Sequence, residues 1–220
     1  MIKAINIHKT YKDLEVLKGV DIYVNKGEIV SIVGASGAGK TTLLHILGTL
    51  ETANSLKDTS LLINDIDLQK LSSKQLSDFR NKHIGFIFQF HQLLPEFTAL
   101  ENICIPALIK GISKKDAEKR AKELLSFLNL ANRFDHKPNA LSGGEQQRVS
   151  VARALMNHPS VVFADEPSGN LDSESAEHLH QLFFQLRKEF NQTFVIVTHN
   201  EELANMADRK LTMLDGKIIS

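Results

Sequence analysis

An α/β fold with a largely parallel sheet is predicted by three continuous apolar runs, by the helical patterns between them, and by what stands at the end of each run. The runs are Ile29-Val30-Ser31-Ile32-Val33, Val161-Val162-Phe163-Ala164 and Phe194-Val195-Ile196-Val197. Short runs of this kind mark strands buried on both faces, as in a parallel sheet covered by helices. Between the last two, Ala176, Leu179, Leu182, Phe183, Leu186 and Phe190 fall on one face of a helix. Strands alternating with helices in this way build α/β architecture.

The remaining elements follow in chain order. Ile5 and Ile7, then Val20, Ile22 and Val24, and later Leu62 and Ile66, alternate as half-buried strands do. Leu43, Leu44, Ile46 and Leu47 supply an apolar helix after the first buried run. From about Thr98 to Leu130 there is no buried-strand run, and the pattern is helical. Ser113-Lys114-Lys115-Asp116 has the form of a helix start with an acidic third position, and Ala117, Ala121, Leu124, Leu125 and Leu128 form the apolar face behind it. We read residues 1–220 as one domain, with an α/β core of about 1–90 and 155–220 and an inserted helical subdomain of about 91–154.

Composition narrows the function classes. Lys and Arg total 26 and Asp and Glu total 26, which argues against a strongly basic nucleic-acid binder. A single cysteine, Cys104, cannot form an intrachain disulfide and suits a reducing compartment. No apolar run approaches the ~18–20 residues of a membrane span, and the most apolar stretch, Ile103 to Ile109, is short and broken by Pro106. The expectation is a soluble, cytoplasmic chain with no direct membrane insertion.

Ligands of open α/β sheets bind beyond the carboxyl ends of the strands. Here each buried run ends in reactive chemistry: the first in Gly34-Ala35-Ser36-Gly37-Ala38-Gly39-Lys40-Thr41, the second in Asp165-Glu166, the third in Thr198-His199. The first segment fits a phosphate-binding loop, whose glycines let backbone N–H groups turn inward around phosphate oxygens. The helix starting near Lys40 adds roughly half a positive charge at its N-terminus. Lys40 would reach the β and γ phosphates, and Thr41 Oγ1 would ligate Mg²⁺. Asp165 is placed to hold Mg²⁺, and Glu166 to polarise an attacking water. An acidic pair at a strand end is also a common solvated turn, and the phosphate loop upstream favours the catalytic reading. His199 on its own reads first as an ordinary rim histidine. His178 and His180, two apart, would point to different helix faces and make a poor metal pair.

Ser142-Gly143-Gly144-Glu145 has two readings that can both hold. It is a capping box, Ser at the N-cap with Glu three residues on. Two adjacent glycines weaken a helix, however, and make sense where an anion must approach the backbone. That would be a second phosphate site, distinct from the first.

With these motifs in hand, the chain resembles the nucleotide-binding subunits of ABC transporters over essentially its whole length. Gly34 to Thr41 looks like Walker A, with Thr42 following, and Gln89 like the glutamine that senses Mg²⁺ and the membrane partner. Leu141 to Arg148 looks like the family signature, Val161 to Glu166 like Walker B with the catalytic glutamate, and Ser168 to Asp172 like the D-loop. His199 looks like the switch histidine that contacts the γ-phosphate. Tyr11 stands where the family sets an aromatic against adenine; a tyrosine packed on a strand is the alternative. The resemblance implies a P-loop NTPase (RecA-like) core with a mainly parallel sheet, an N-terminal antiparallel β subdomain and an inserted α-helical subdomain. It also implies a homodimer that sandwiches ATP and Mg²⁺, the signature of one copy closing over Walker A of the other, and two integral membrane subunits as partners.

The run from Phe86 to Asn102 is similar to the lipoprotein-releasing branch, which implies a peripheral ATPase on the cytoplasmic face of the inner membrane, with LolC/LolE-like partners. Two departures stand out: Gln92 replaces a histidine usual in that branch, and Glu51 to Asp58 lacks the usual Pro and Gly of a turn. The alternative is a macrolide-exporter or cell-division type of ATPase with another membrane partner. A soluble ABC protein of translation or repair would ordinarily carry two such domains and bind nucleic acid, and a small-molecule kinase would have no use for the signature or D-loop.

Overall fold

The structure, a computed structural model, describes residues 1–54 and 56–220. Two antiparallel strands open the chain, β1 (Ile2–Tyr11) and β2 (Leu14–Val24). β3 (Ile29–Val33) leads into helix α1 (Lys40–Leu47). β4 (Ser60–Ile63) and β5 (Ile66–Asp67) return to the first pair and complete an antiparallel sheet of order β2-β1-β4-β5. Of the segment Glu51 to Asp58, which lacks the family's usual turn residues, Ser55 lies outside the described residues.

Helix α2 (Ser73–His83) then delivers β6 (Ile84–Phe88). Three helices follow, α3 (Ala99–Ile109), α4 (Lys114–Phe127) and α5 (Gly143–Leu155). The chain returns through β7 (Val161–Asp165), α6 (Ser173–Phe190), β8 (Thr193–Val197), α7 (Glu201–Met206), β9 (Arg209–Leu214) and β10 (Lys217–Ile218). The second sheet has the order β10-β9-β3-β8-β7-β6, parallel at every pairing but β9 with β10. The fold is the α/β architecture expected, with the antiparallel subdomain at the N-terminal side.

Side chains alternate across a strand, and the parallel sheet uses that alternation to hold two cores apart. Val30, Ile32, Val161, Phe163, Val195 and Val197 join α1 and the antiparallel sheet in one buried cluster. Their neighbours Ile29, Ile87, Val162, Ala164, Phe194 and Ile196 join α3, α4, α5 and α6 in the other. Each fully buried aliphatic side chain contributes on the order of 1.5–3 kcal/mol, so both faces anchor the strands, and their carboxyl ends are rigidly set side by side.

Three expectations about facing need correction. Ile5 does not face inward with Ile7: Asn6 takes a positive φ of 53°, the β1–β2 register shifts between Ala4 and Ile7, and the inward residues become Ile2, Ala4 and Ile7. In the third segment the buried residues are Leu61 and Ile63, while Leu62 is half-buried and Ile66, on a two-residue edge strand, is exposed. Phe190, the last residue of α6, is also exposed, its ring edge-on to Phe127 at 5.4 Å.

Candidate active site

Adjacent strands β3, β8, β7 and β6 end along one edge of the sheet, and each end carries a polar residue of interest. Beyond β3 the loop turns through Gly34 (φ 149°) and Gly37 (φ 80°), which are left-handed positions. At Gly34 a Cβ would lie 2.1 Å from the carbonyl oxygen of Met213 on β9, so glycine is required there for close approach as well as for φ. Lys40 folds back over this loop, its Nζ donating to the carbonyls of Gly34 (2.8 Å) and Ala35 (3.0 Å). Ala38 is buried and ties the loop to the last hairpin, its carbonyl accepting from Gly216 N at 3.1 Å.

Asp165 closes β7 opposite the loop. Thr41 Oγ1 donates to Asp165 Oδ1 at 3.1 Å, joining the start of α1 to the end of β7. Burial pushes the Asp165 carboxyl above its ordinary range, against the hydrogen bond from Thr41. Glu166 follows with φ 46°, a conformation that costs roughly 1–3 kcal/mol for a non-glycine residue. Its backbone N–H donates to Val197 O at 2.9 Å, which keeps it in step with β8. Its carboxylate accepts from His199 N at 3.1 Å and lies 2.8 Å from His199 Nδ1. His199 is thus more than a rim residue in geometry: it braces the carboxylate while its ring is 69% exposed, against 18% for Glu166.

The fourth strand end is Gln89, just past β6. Its Nε2 donates to Asn170 Oδ1 (3.2 Å), and Asn170 Nδ2 donates back to Gln89 O (3.2 Å). Ser36, Lys40, Thr41, Thr42, Gln89, Glu166 and His199 line one cavity of about 580 Å³, with Gly34, Gly37 and Gly39 in its floor. An ammonium, three hydroxyls, a carboxylate, a carboxamide and an imidazole therefore converge on one cavity, with the Asp165 carboxylate hydrogen-bonded to Thr41 at its border.

Other expected site residues are not brought to this cavity by the single chain. Tyr11 is outside its lining, 44% exposed, with its hydroxyl donating to Glu51 Oε2 at 3.1 Å and Lys9 Nζ 4.9 Å above its ring. Leu14 and Val16 border the cavity instead. Ser142, Gly143 and Gly144 are likewise not among its lining residues. They open α5 in a complete capping box: Glu145 N donates to Ser142 Oγ (3.2 Å) and Ser142 N to Glu145 Oε2 (2.8 Å). The Ser142 N–H and Arg133, whose Nε lies 2.8 Å from Glu145 Oε1, hold the Glu145 carboxyl below its ordinary range.

Sequence reasoning missed His45, one helical turn beyond Thr41, whose Nε2 is buried, 3.9 Å from Asp165 Oδ2 and without a hydrogen-bond partner. The i,i+4 spacing from Thr41 was the available signal. Among the described residues no group of three or more His, Cys, Asp and Glu is arranged to hold a metal ion by itself.

This geometry agrees with what the chain resembles among known proteins. The family model described as ABC transporter matches residues 17–169. The chain belongs to the ABC transporter family. As an ABC transporter ATP-binding subunit it has relatives along its full length. It is 63% identical over 220 residues to the "Lipoprotein-releasing system ATP-binding protein LolD" of Cytophaga hutchinsonii, covering 100% of this chain and 99% of the relative. It is 60% identical over 218 residues to the protein of the same name from Bacteroides thetaiotaomicron, covering 99% of each. Among solved structures, a dimeric ATP-binding cassette in a post-hydrolysis state bound to ADP and Pi matches with a TM-score of 0.90 at 39% identity, covering 100% of this chain and 97% of that one. ABC transporter subunits of this kind hydrolyse ATP, and they do so for a membrane transporter although no described helix here is long and apolar enough to cross a membrane.

Proposed function

We propose that this chain is the ATP-hydrolysing subunit of a transporter that releases lipoproteins from the bacterial inner membrane. It acts as a homodimer on the cytoplasmic face, joined to two integral membrane subunits of the LolC/LolE kind. The observation that carries the reading is the convergence of four strand ends on one cavity, with the signature glycines held outside it. A phosphate site that its own chain leaves half built is explained by a second copy, whose Ser142, Gly143 and Gly144 would close over the nucleotide.

The roles follow from the donor set. Lys40 and the loop N–H groups bind the β and γ phosphates of ATP, and Tyr11 flanks the adenine from the rim. Thr41 and Asp165 present a hydroxyl and a carboxylate to one another, with Gln89 beside them; such all-oxygen donors suit a hard divalent cation. Mg²⁺ bound there would neutralise charge developing on the phosphate oxygens. Glu166 takes the proton as water attacks the γ-phosphorus and the bond to the β-phosphate oxygen breaks, giving ADP and phosphate. His199 orients Glu166 through Nδ1 and reaches the γ-phosphate from the exposed side of its ring.

Lipoprotein release is supported by the full-length relatives of that name. A membrane partner is supported by Phe90, Leu94, Phe97 and Ile109, exposed apolar residues on the β6–α3 side of the molecule. The test is purification from detergent-solubilised membranes, followed by lipoprotein release from proteoliposomes driven by ATP. Recovery with an exporter or a cell-division membrane protein would replace the cargo while leaving the ATPase reading intact.

A further inference from the structure

Gln147, four residues into the signature helix α5, is fully buried and used by none of the roles above. Its Nε2 donates to Pro167 O at 2.6 Å and, more weakly, points to Phe88 O at 3.4 Å. Phe88 is the last residue of the β6–β7 ladder, opposite Asp165, and Pro167 lies two residues past that pair. One carboxamide therefore ties the residue before Gln89 to the residue after Glu166. Because both neighbours are carbonyl oxygens, the amide must present its N–H groups, and its Oε1 is left buried without a partner. An unpartnered buried acceptor lowers stability. Packing alone would be served better here by an apolar side chain.

From this we infer that Gln147 is a positioning residue: it holds Gln89 and Glu166 in register with the signature helix of the same protomer. The inference rests on the function proposed above. In the sandwich dimer the signature helix touches the partner's nucleotide, so Gln147 links occupancy of one site to the water-activating glutamate of the other. Two neighbouring contacts frame the same segment. Asn170 clasps Gln89, and His180 Nε2 on α6 lies 3.0 Å from Ser168 Oγ. Among the described residues, Gln147 is the side chain of α5 that hydrogen-bonds both strand exits.

The test uses full-length Gln147→Met, which keeps length and stem without a donor, and Gln147→Glu, which keeps shape but sets an acceptor against two carbonyls. Lys40→Ala runs alongside. A misplaced catalytic group typically costs about 10- to 100-fold in rate. We expect kcat to fall by that factor in both variants while KM for ATP stays near the wild-type value. In a Glu166→Gln background, ATP should still drive dimer formation of either variant, measured by gel filtration. A folded variant with wild-type kcat would overturn the inference. So would a loss confined to melting temperature, or failure of both variants to fold, either of which would make Gln147 a packing residue. Wild-type hydrolysis by Lys40→Ala would instead sink the ATPase reading, whatever Gln147 does.

Discussion

Two helices of this protein begin at glycine-containing turns followed by polar residues, α1 at the phosphate loop and α5 at the signature, and they are finished in opposite ways. At α1 the N-cap is Gly39, in a left-handed conformation, with no side-chain cap. At α5 the N-cap is Ser142, and a full capping box satisfies the first turn. Helix N-termini leave N–H groups without internal partners, and an anion is one way to satisfy them. α1 thus depends on its ligand to complete its first turn, which its own strand edge brings close. α5 is self-sufficient, exposing Ser142 and Gly143 for something outside the chain. The difference shows two glycine turns of one sequence finished differently, one lining the cavity and the other outside it.

The largest effect should come from the chemistry between the two ends. Glu166→Gln should slow ATP turnover by roughly 10²–10⁴-fold, the usual contribution of a general base, while ATP binding persists and ATP-stabilised dimers accumulate. Steady-state phosphate release and gel filtration with ATP measure the two sides. Undiminished hydrolysis would break the division of labour, because the α1 end would then need neither Glu166 nor closure by α5.

Next comes stability. α1 owes its position to Leu43, Leu44, Ile46 and Leu47, all buried. Leu43→Ala should cost about 2–5 kcal/mol, read from urea unfolding, and should weaken ATP binding in proportion as the loop loses its backing helix. At α5 the corresponding change is Ser142→Ala. Loss of a capping side chain costs about 1 kcal/mol, or roughly 2–4 °C in melting temperature for a chain this size. Here binding of ATP to the monomer should be unchanged and only turnover by the dimer should fall. If Ser142→Ala instead weakens binding to isolated protomers, the two ends are not independent.

How much of this was legible beforehand depends on burial. β3, β7 and β8 stood out because both faces are covered, and α4 and α6 because a single apolar stripe repeats at helical spacing. The loop, Asp165, Glu166 and His199 were visible as strand-end chemistry. α2 went unread because Phe79 is its one buried residue, although Ser72 and Gln75 form a capping box that could have marked its start. β6 was obscured by Gly85 within a short run, and the edge strands β5 and β10 are only two residues each. Ile5 was misfaced because a bulge at Asn6 resets the strand phase, which no alternation rule anticipates. His45 and Gln147 were invisible for a different reason. Their environments are made by strand ends more than 100 and about 20–60 residues away in sequence; the spacing of His45 from Thr41 is the one local signal, and Gln147 has none.

The smallest expected effect concerns His180, which braces the D-loop from α6, apart from both helix ends. It is 2% exposed, its Nδ1 has no partner, and burial lowers its pKa against the opposing influence of Glu202 and Glu177. A histidine kept neutral in the folded state binds fewer protons than it does unfolded. Stability is therefore full above the unfolded pKa of about 6.5 and declines as pH falls from there toward the lowered folded value. His180→Gln removes that titration while keeping a donor for Ser168. The variant should lose less stability than wild type between neutral and mildly acidic pH, measured as the difference in urea midpoint. An identical pH slope in both proteins would mean that other histidines with lowered pKa, such as His91 and His158, carry the acid sensitivity, and that the D-loop brace is electrostatically silent.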